Sequence, residues 1–221
     1  MRFSSIGSGS KGNSTIIEYD DTVILVDCGF SLKETEKRLS ISGLAPSKIN
    51  AILVTHEHSD HIRGVSSLAK KYKIPVMATA GTSKFLRNSS ALNLTCIDTQ
   101  SDFHIENLTV TPVLVPHDAR EPVQFIIRGG LLTFGILTDV GAITEHIIEL
   151  YQCCDGLMIE SNHDEDMLFN GSYPRSLKNR VGGNWGHLNN KQMLYFLKNI
   201  ELEQLQDLVI GHISENNNSV S

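Results

Sequence analysis

The chain has 221 residues, 40% of them hydrophobic, enough to bury one substantial core and to form a single domain. No run approaches the roughly 20 apolar residues that span a bilayer, and the start, Met1-Arg2-Phe3-Ser4, lacks the apolar stretch of a secretory signal. A formal net charge of -6 speaks against a general cationic coat for nucleic acid.

The charge is unevenly spread: residues 1–90 carry 12 Lys/Arg against 8 Asp/Glu, and residues 91–221 carry 7 against 17. Acids consumed as ligands to divalent cations leave a cleft locally positive, so an anionic substrate is permitted without being demonstrated. Cys28, Cys96, Cys153 and Cys154 show no C-x-x-C spacing and read as reduced, buried thiols of a cytoplasmic protein.

In chain order, Ser14–Tyr19 and Thr22–Asp27 read as strands of a hairpin turned at Asp20-Asp21. A charged amphipathic helix over Lys33–Ser42 ends at Gly43. Ala51–Thr55 is a short apolar strand, followed by a helix from about Ile62 to Tyr72 and a strand over Pro75–Thr79. In the second half, Leu108–Val115, Gln124–Arg128, Leu132–Thr138 and Gly156–Glu160 are strand candidates. Thr144–Gln152 and Asn189–Leu197 carry helical spacing, and Leu208–Ile210 reads as a last buried strand. Strands mixed with helices in both halves fit two sheets packed face to face with helices outside.

The segment Thr55-His56-Glu57-His58-Ser59-Asp60-His61 carries the chemistry. It sets three imidazoles and a carboxylate between an apolar strand and a helix. Imidazole suits zinc, and the carboxylate adds the negative charge that two neighbouring cations require. Alternation turns His56, His58 and Asp60 to one face, while His61 turns toward a second site as the helix begins. The competing reading is a polar surface loop.

H-x-H-x-D-H resembles the signature of the metallo-β-lactamase superfamily, and the rest of the chain resembles that family in order. The family's later ligands match His117 after Val115-Pro116, Asp139 after Leu137-Thr138, and His212 after Ile210-Gly211; Val26-Asp27-Cys28-Gly29 resembles its strand-ending Asp-x-Gly. The resemblance implies an α/β four-layer αββα sandwich. It places His56, His58 and His117 on one divalent metal, Asp60, His61 and His212 on another, and Asp139 as the bridge. Zinc suits the three-histidine set, and manganese is the alternative.

Within the superfamily, the sequence resembles the YycJ/WalJ-like proteins, with ribonuclease Z more distant. The segments that carry this are 8–14 (Ser-Gly-Ser-Lys-Gly-Asn-Ser), 159–164 (Ile-Glu-Ser-Asn-His-Asp), 186–190 (Gly-His-Leu-Asn-Asn) and 211–217 (Gly-His-Ile-Ser-Glu-Asn-Asn). Two departures stand out: Asn189 where relatives commonly carry Ser, and an end at Ser221 where they continue through another helix and strand, which implies either a domain that lacks a closing element or a shortened sequence.

The loop with Ser8, Ser10 and Asn13 offers hydroxyls and free backbone N–H groups for phosphate oxygens, or is an ordinary Gly/Ser turn. It is no P-loop. Glu160 at a strand end is either a solvated acid or, by the resemblance, the partner of His187 at a helix entry in a general acid–base pair, and Asp60 orients or accepts a proton from the attacking water as well as binding metal. His163 is a substrate contact or a surface residue of an acidic loop. His104 and His146 have no ligand-like context.

The function implied is hydrolysis of a phosphodiester in nucleic acid, with two metals lowering the pKa of a bound water to about 7; the YycJ/WalJ resemblance implies DNA as the substrate and exonucleolytic cleavage as one mode. The alternatives are a glyoxalase II-type thioesterase, a small-molecule phosphodiesterase, or a non-catalytic scaffold; retention of all seven ligands argues against the last. No membrane partner is expected, and protein partners are not legible.

Overall fold

The computed structural model describes residues 1–86 and 92–219. They form two compact units: Met1–Pro112 with Ala119–Val123, and Val113–Asp118 with the chain from Gln124 onward.

The first unit opens with β1 (Arg2–Gly7), β2 (Ser14–Tyr19) and β3 (Thr22–Val26), an antiparallel meander. Asp20 takes φ 49 at the β2–β3 turn, where a short polar side chain tolerates the left-handed region. After α1 (Leu32–Ile41) and a 3-10 turn at Pro46–Lys48 comes β4 (Ala51–Val54), which pairs in parallel with β3. Next come α2 (Ser59–Ile62), α3 (Val65–Tyr72), β5 (Val76–Ala78), α4 (Ala80–Leu86) and β6 (Leu94–Cys96). The sheet order is β1-β2-β3-β4-β5-β6, with β4, β5 and β6 parallel. Residues of β3 and β4 are all buried, as expected of strands covered on both faces. Leu25, Ile52, Val54, Val65 and Leu68 centre this unit's core. A hairpin of β7 (Phe103–Ile105) and β8 (Leu108–Leu114) follows, and the chain enters the second unit within β8.

The single helix expected from about Ile62 to Tyr72 is two helices. Gly64 donates its N–H to the Cys28 carbonyl at 2.7 Å, which breaks the helical ladder between α2 and α3. A Cβ there would come within 2.2 Å of the Phe30 carbonyl oxygen, so the backbones can meet only at a glycine.

In the second unit β9 (Val123–Gly129) and β10 (Leu132–Leu137) form an antiparallel hairpin, and β10, β11 (Gly156–Glu160) and β12 (Asp207–Gly211) run parallel. The helices are α5 (Glu145–Leu150), α6 (Glu165–Asn170), α7 (Arg175–Val181) and α8 (Asn190–Lys198). Thr144 caps α5, Asp164 caps α6, and Asn189 with Gln192 forms a capping box on α8. Leu137, Ile147, Tyr151, Leu157, Ile159, Leu188 and Phe196 build the core.

The strand expected to be buried at Leu208–Ile210 is not. Leu208 and Ile210, two apart on the edge strand β12, share one face of the sheet, and that face is open: they are 42% and 44% exposed. Cys96 and Cys153 are likewise exposed, against the expectation of four buried thiols; Cys28 and Cys154 are buried. No helix among the described residues is long and apolar enough to cross a membrane.

Candidate metal centre

In the first unit, the chain leaving β4 places Thr55 and His56 in the interior and enters α2 at Ser59. His56 Nε2 and His58 Nδ1 lie 3.0 Å apart. Two nitrogens bound to one tetrahedral zinc at about 2.0–2.1 Å would be separated by roughly 3.3 Å, so the pair is already near ligand spacing. His61 is fully buried, and its ring centroid lies 4.0 Å from that of His56.

Asp27, just past β3 with φ 61, aims its carboxylate at this cluster. Oδ1 accepts from the Thr55 N–H at 2.9 Å, and Oδ2 from the Thr55 hydroxyl at 2.8 Å. Oδ2 also meets His61 Nδ1 at 2.7 Å. Donation from Nδ1–H leaves the His61 Nε2 lone pair for another partner, the usual way a carboxylate orients a metal-binding imidazole. Asn13 Nδ2 lies 2.9 Å from that Nε2 and 3.3 Å from Asp60 Oδ2, while Asn13 Oδ1 accepts from the Gly9 N–H at 2.7 Å. The Ser8–Ser14 loop is thereby tied to the histidine motif. Gly29 permits this approach: a Cβ there would overlap the Asp60 carbonyl at 1.7 Å. Ser8 and Ser10 themselves are exposed on the turn.

The second unit gathers its functional side chains from separate strand ends. Asp139 follows β10 with φ 54 and His212 follows β12 with φ 53. Left-handed backbone at two non-glycine strand ends is the kind of strain that folds retain at functional sites. One oxygen, Asp139 Oδ1, lies 4.0 Å from His117 Nε2 and 3.6 Å from His212 Nε2. That one oxygen therefore faces imidazole nitrogens carried by two separate strand ends.

Glu160, at the end of β11, is fully buried and fully used. Oε1 accepts from the Val140 and Leu188 N–H groups at 2.8 and 2.9 Å; Oε2 meets His187 Nδ1 at 3.2 Å and His212 Nδ1 at 3.0 Å. Burial opposes the Glu160 charge, but His187 and then His212 outweigh it and bring the carboxyl down to about 2. For His187, burial opposes protonation, but Glu160, with Asp139 and Asp118, outweighs it and raises the pKa to about 9. Burial chiefly lowers the pKa of His117, whose Nδ1 donates to the Gly186 carbonyl at 3.0 Å.

Asp139, Glu160, His187 and His212 each offer a ligand atom within 4.8 Å of the others. His187 and His212 both turn Nδ1 to Glu160, and His212 Nε2 faces Asp139 Oδ1. His163 is buried and lines an open cavity of about 360 Å³ with Glu165, Phe169, Lys178, Asn179 and Asn189. That burial removes the reading of His163 as a surface residue, and it also lowers the pKa of the ring.

Sequence reasoning missed two links. Asp27 was visible as a strand-ending Asp-x-Gly, but nothing in its spacing names His61 as its partner. Asp118, 3.5 Å from His117 Nε2 and paired with Arg180, carried no signal.

A family model described as a beta-lactamase superfamily domain matches residues 22–213. The exodeoxyribonuclease YycJ of Bacillus anthracis is 30% identical over 99% of this chain and 84% of its own length; the exodeoxyribonuclease WalJ of Streptococcus pneumoniae is 34% identical over 99% and 83%. Among solved structures, zinc-bound PqqB from Methylobacterium extorquens superposes with a TM-score of 0.80 at 18% identity, over 98% of this chain and 90% of that one. The metallo-β-lactamase fold protein YhfI from Bacillus subtilis gives 0.77 at 18%, over 99% and 87%. The chain belongs to the metallo-β-lactamase superfamily, with YycJ and WalJ as relatives along nearly its whole length. It has the α/β sandwich fold of that family and is a metal-dependent hydrolase.

Proposed function

We propose that this protein hydrolyses phosphodiester bonds in DNA, working from a strand end. The observation that carries this reading is its 30% and 34% identity, over 99% of the chain, to two exodeoxyribonucleases. The family resemblance assigns His56, His58 and His117 to one divalent ion and Asp60, His61 and His212 to a second, with Asp139 shared. The donor set fits: imidazoles and carboxylates at near-ligand spacing, with His61 and His212 each held at Nδ1 by a buried carboxylate. Zinc is the ion we propose, and manganese is the alternative for the more oxygen-rich set.

Divalent ions held there supply Lewis acidity toward a phosphoryl oxygen and an activated water at neutral pH. The remaining work falls to the chain. Asp60 accepts a proton from the attacking water. His187, protonated and fixed at Nδ1 by Glu160, presents its other N–H to the leaving oxygen. Asn13 holds its loop beside His61 and Asp60, where Ser8 and Ser10 can contact strand phosphates. His163 and its cavity offer a further substrate contact. Four free cysteines support a reducing, cytoplasmic setting.

The test is metal-reconstituted protein with end-labelled single- and double-stranded DNA and RNA. Progressive release of nucleotides from DNA ends is the expected result. Intact DNA alongside rapid hydrolysis of a thioester would overturn the reading in favour of a glyoxalase II-type enzyme.

A further inference from the structure

Trp185 is the chain's single tryptophan and is 63% exposed, although tryptophan is ordinarily well buried. It stands in the loop from Gly182 to Gly186, between the end of α7 and His187.

That loop is fixed at several points. Gly186 N–H donates to the Gly183 carbonyl at 2.8 Å, and His187 N–H to the Val181 carbonyl at 2.9 Å. Gly186 is buried, and a Cβ on it would come 2.2 Å from the carbonyl oxygens of Arg180 and Val181. Its own carbonyl holds His117 Nδ1. On the other side of Trp185, the Asn184 carbonyl packs so closely on Gly141 that a Cβ there would come within 2.3 Å. The residues flanking the indole are therefore braced against His117 and against the segment that follows Asp139, and the next residue but one is His187. The braced backbone here presents a large aromatic surface to solvent two residues before the proposed acid. The helix leading into the loop, α7, carries Arg175 and Lys178 and no carboxylate of its own, which suits the approach of a phosphate backbone, while its Arg180 pairs with Asp118.

We propose that Trp185, held on this braced loop, is the stacking platform for a nucleobase next to the scissile phosphate of a single-stranded DNA end. The inference rests on the DNA reading above. Stacking suits an enzyme that accepts any sequence, since every base offers a π-face, whereas hydrogen-bond readout would impose a preference. It also positions the strand end, because the indole and His187 are held by the same short segment.

A single tryptophan makes the test direct, since all indole fluorescence comes from this position. The metal-loaded protein is titrated with a phosphorothioate-linked oligothymidylate and with an abasic oligomer of equal phosphate count. Binding of each is followed by anisotropy of an end label. The expected result is that the base-bearing strand quenches Trp185 and the abasic one binds without quenching. Trp185→Ala should weaken oligothymidylate about 5- to 150-fold, the loss of one stacked base, and affect the abasic strand far less. Trp185→Phe should restore most of the affinity, which a misfolded loop would not allow. Free thymidine monophosphate should quench only at much higher concentration; equal quenching by it would mean an isolated nucleotide site and overturn the strand-end proposal. Quenching by both oligomers alike, or equal weakening of both by Trp185→Ala, would overturn it while leaving the DNA reading intact. Absence of any oligonucleotide binding would defeat both.

Discussion

The two histidine clusters are built in opposite ways. In the first unit three histidines and an aspartate lie within six residues, and two residues from β3 and the β1–β2 loop, Asp27 and Asn13, orient them. In the second unit His117, Asp139, Glu160, His187 and His212 come from five separate places in the chain, and one buried carboxylate, Glu160, joins three of those segments through Val140, His187, Leu188 and His212. A local motif fixes its own geometry and needs only trimming from outside. A dispersed one needs a central acceptor. The first cluster should therefore degrade one ligand at a time, and the second should fail as a unit when its acceptor is removed.

The largest effects should come from the ligands. His56→Ala and His58→Ala should each deplete one metal and leave activity near background, whereas His61→Ala and His212→Ala should deplete the other; elemental analysis of reconstituted variants reads this out. Identical losses from all four would erase the distinction between two ions. Next, His187→Ala should keep both metals and lower turnover on DNA by about two to four orders of magnitude, the range for a lost acid–base group. Loss of a metal instead would make His187 a ligand.

A third measurement addresses the central acceptor. Glu160→Ala leaves two imidazoles and two backbone N–H groups without their partner and should cost about 3–5 kcal/mol in chemical denaturation. By contrast, Asp27→Asn should reduce metal affinity about 10- to 100-fold with a smaller loss of stability, since it disturbs chiefly one imidazole. Equal destabilisation by both would undo the contrast between the clusters.

The pair also sets a pH dependence. The Glu160 carboxyl is depressed from 4.5 to about 2, so its contribution is present above 4.5 and lost as pH falls through 2. His187 is raised from 6.5 to about 9, so its contribution is full below 6.5 and lost as pH rises through 9. In metal-free protein the difference in Tm between wild type and Glu160→Gln should be greatest between pH 4.5 and 6.5 and shrink on both sides; a flat difference would show that the pair is not ionised. The smallest effect concerns thiols. Cys28 and Cys154 are buried and their thiols are pushed up to about 11 and about 12, whereas Cys96 and Cys153 are exposed, although desolvation and Glu201 also raise Cys153; iodoacetamide at neutral pH should therefore label Cys96 and Cys153 first, as peptide mapping would show.

The same contrast explains what the sequence made legible. His56 to His61 announce themselves because their spacing alone encodes a ligand cluster, and the apolar runs of β3 and β4 announce buried strands. His117, Asp139 and His212 are single residues after strands, visible only through the order of a family pattern. Asp27 shows its strand-end position but not its partner, which depends on how β3 and β4 pair. The break at Gly64 was hidden because the helical apolar spacing continues across it, and the cause is a backbone contact from Cys28. Exposure of β12 escaped because Leu-Val-Ile reads the same at the edge of a sheet as at its centre.

That edge position has a thermodynamic consequence. His212 sits directly after the outermost strand, whose main chain is paired on one flank and whose Leu208 and Ile210 gain little from burial. Strands of this kind open at low cost by local fluctuation. A cation that engages His212 binds the closed strand and not the opened one, so occupancy and strand order must be linked. Hydrogen exchange over Asp207–Gly211 should therefore slow on metal addition more than exchange over the interior strand Gly156–Glu160, making this edge strand a reporter of loading.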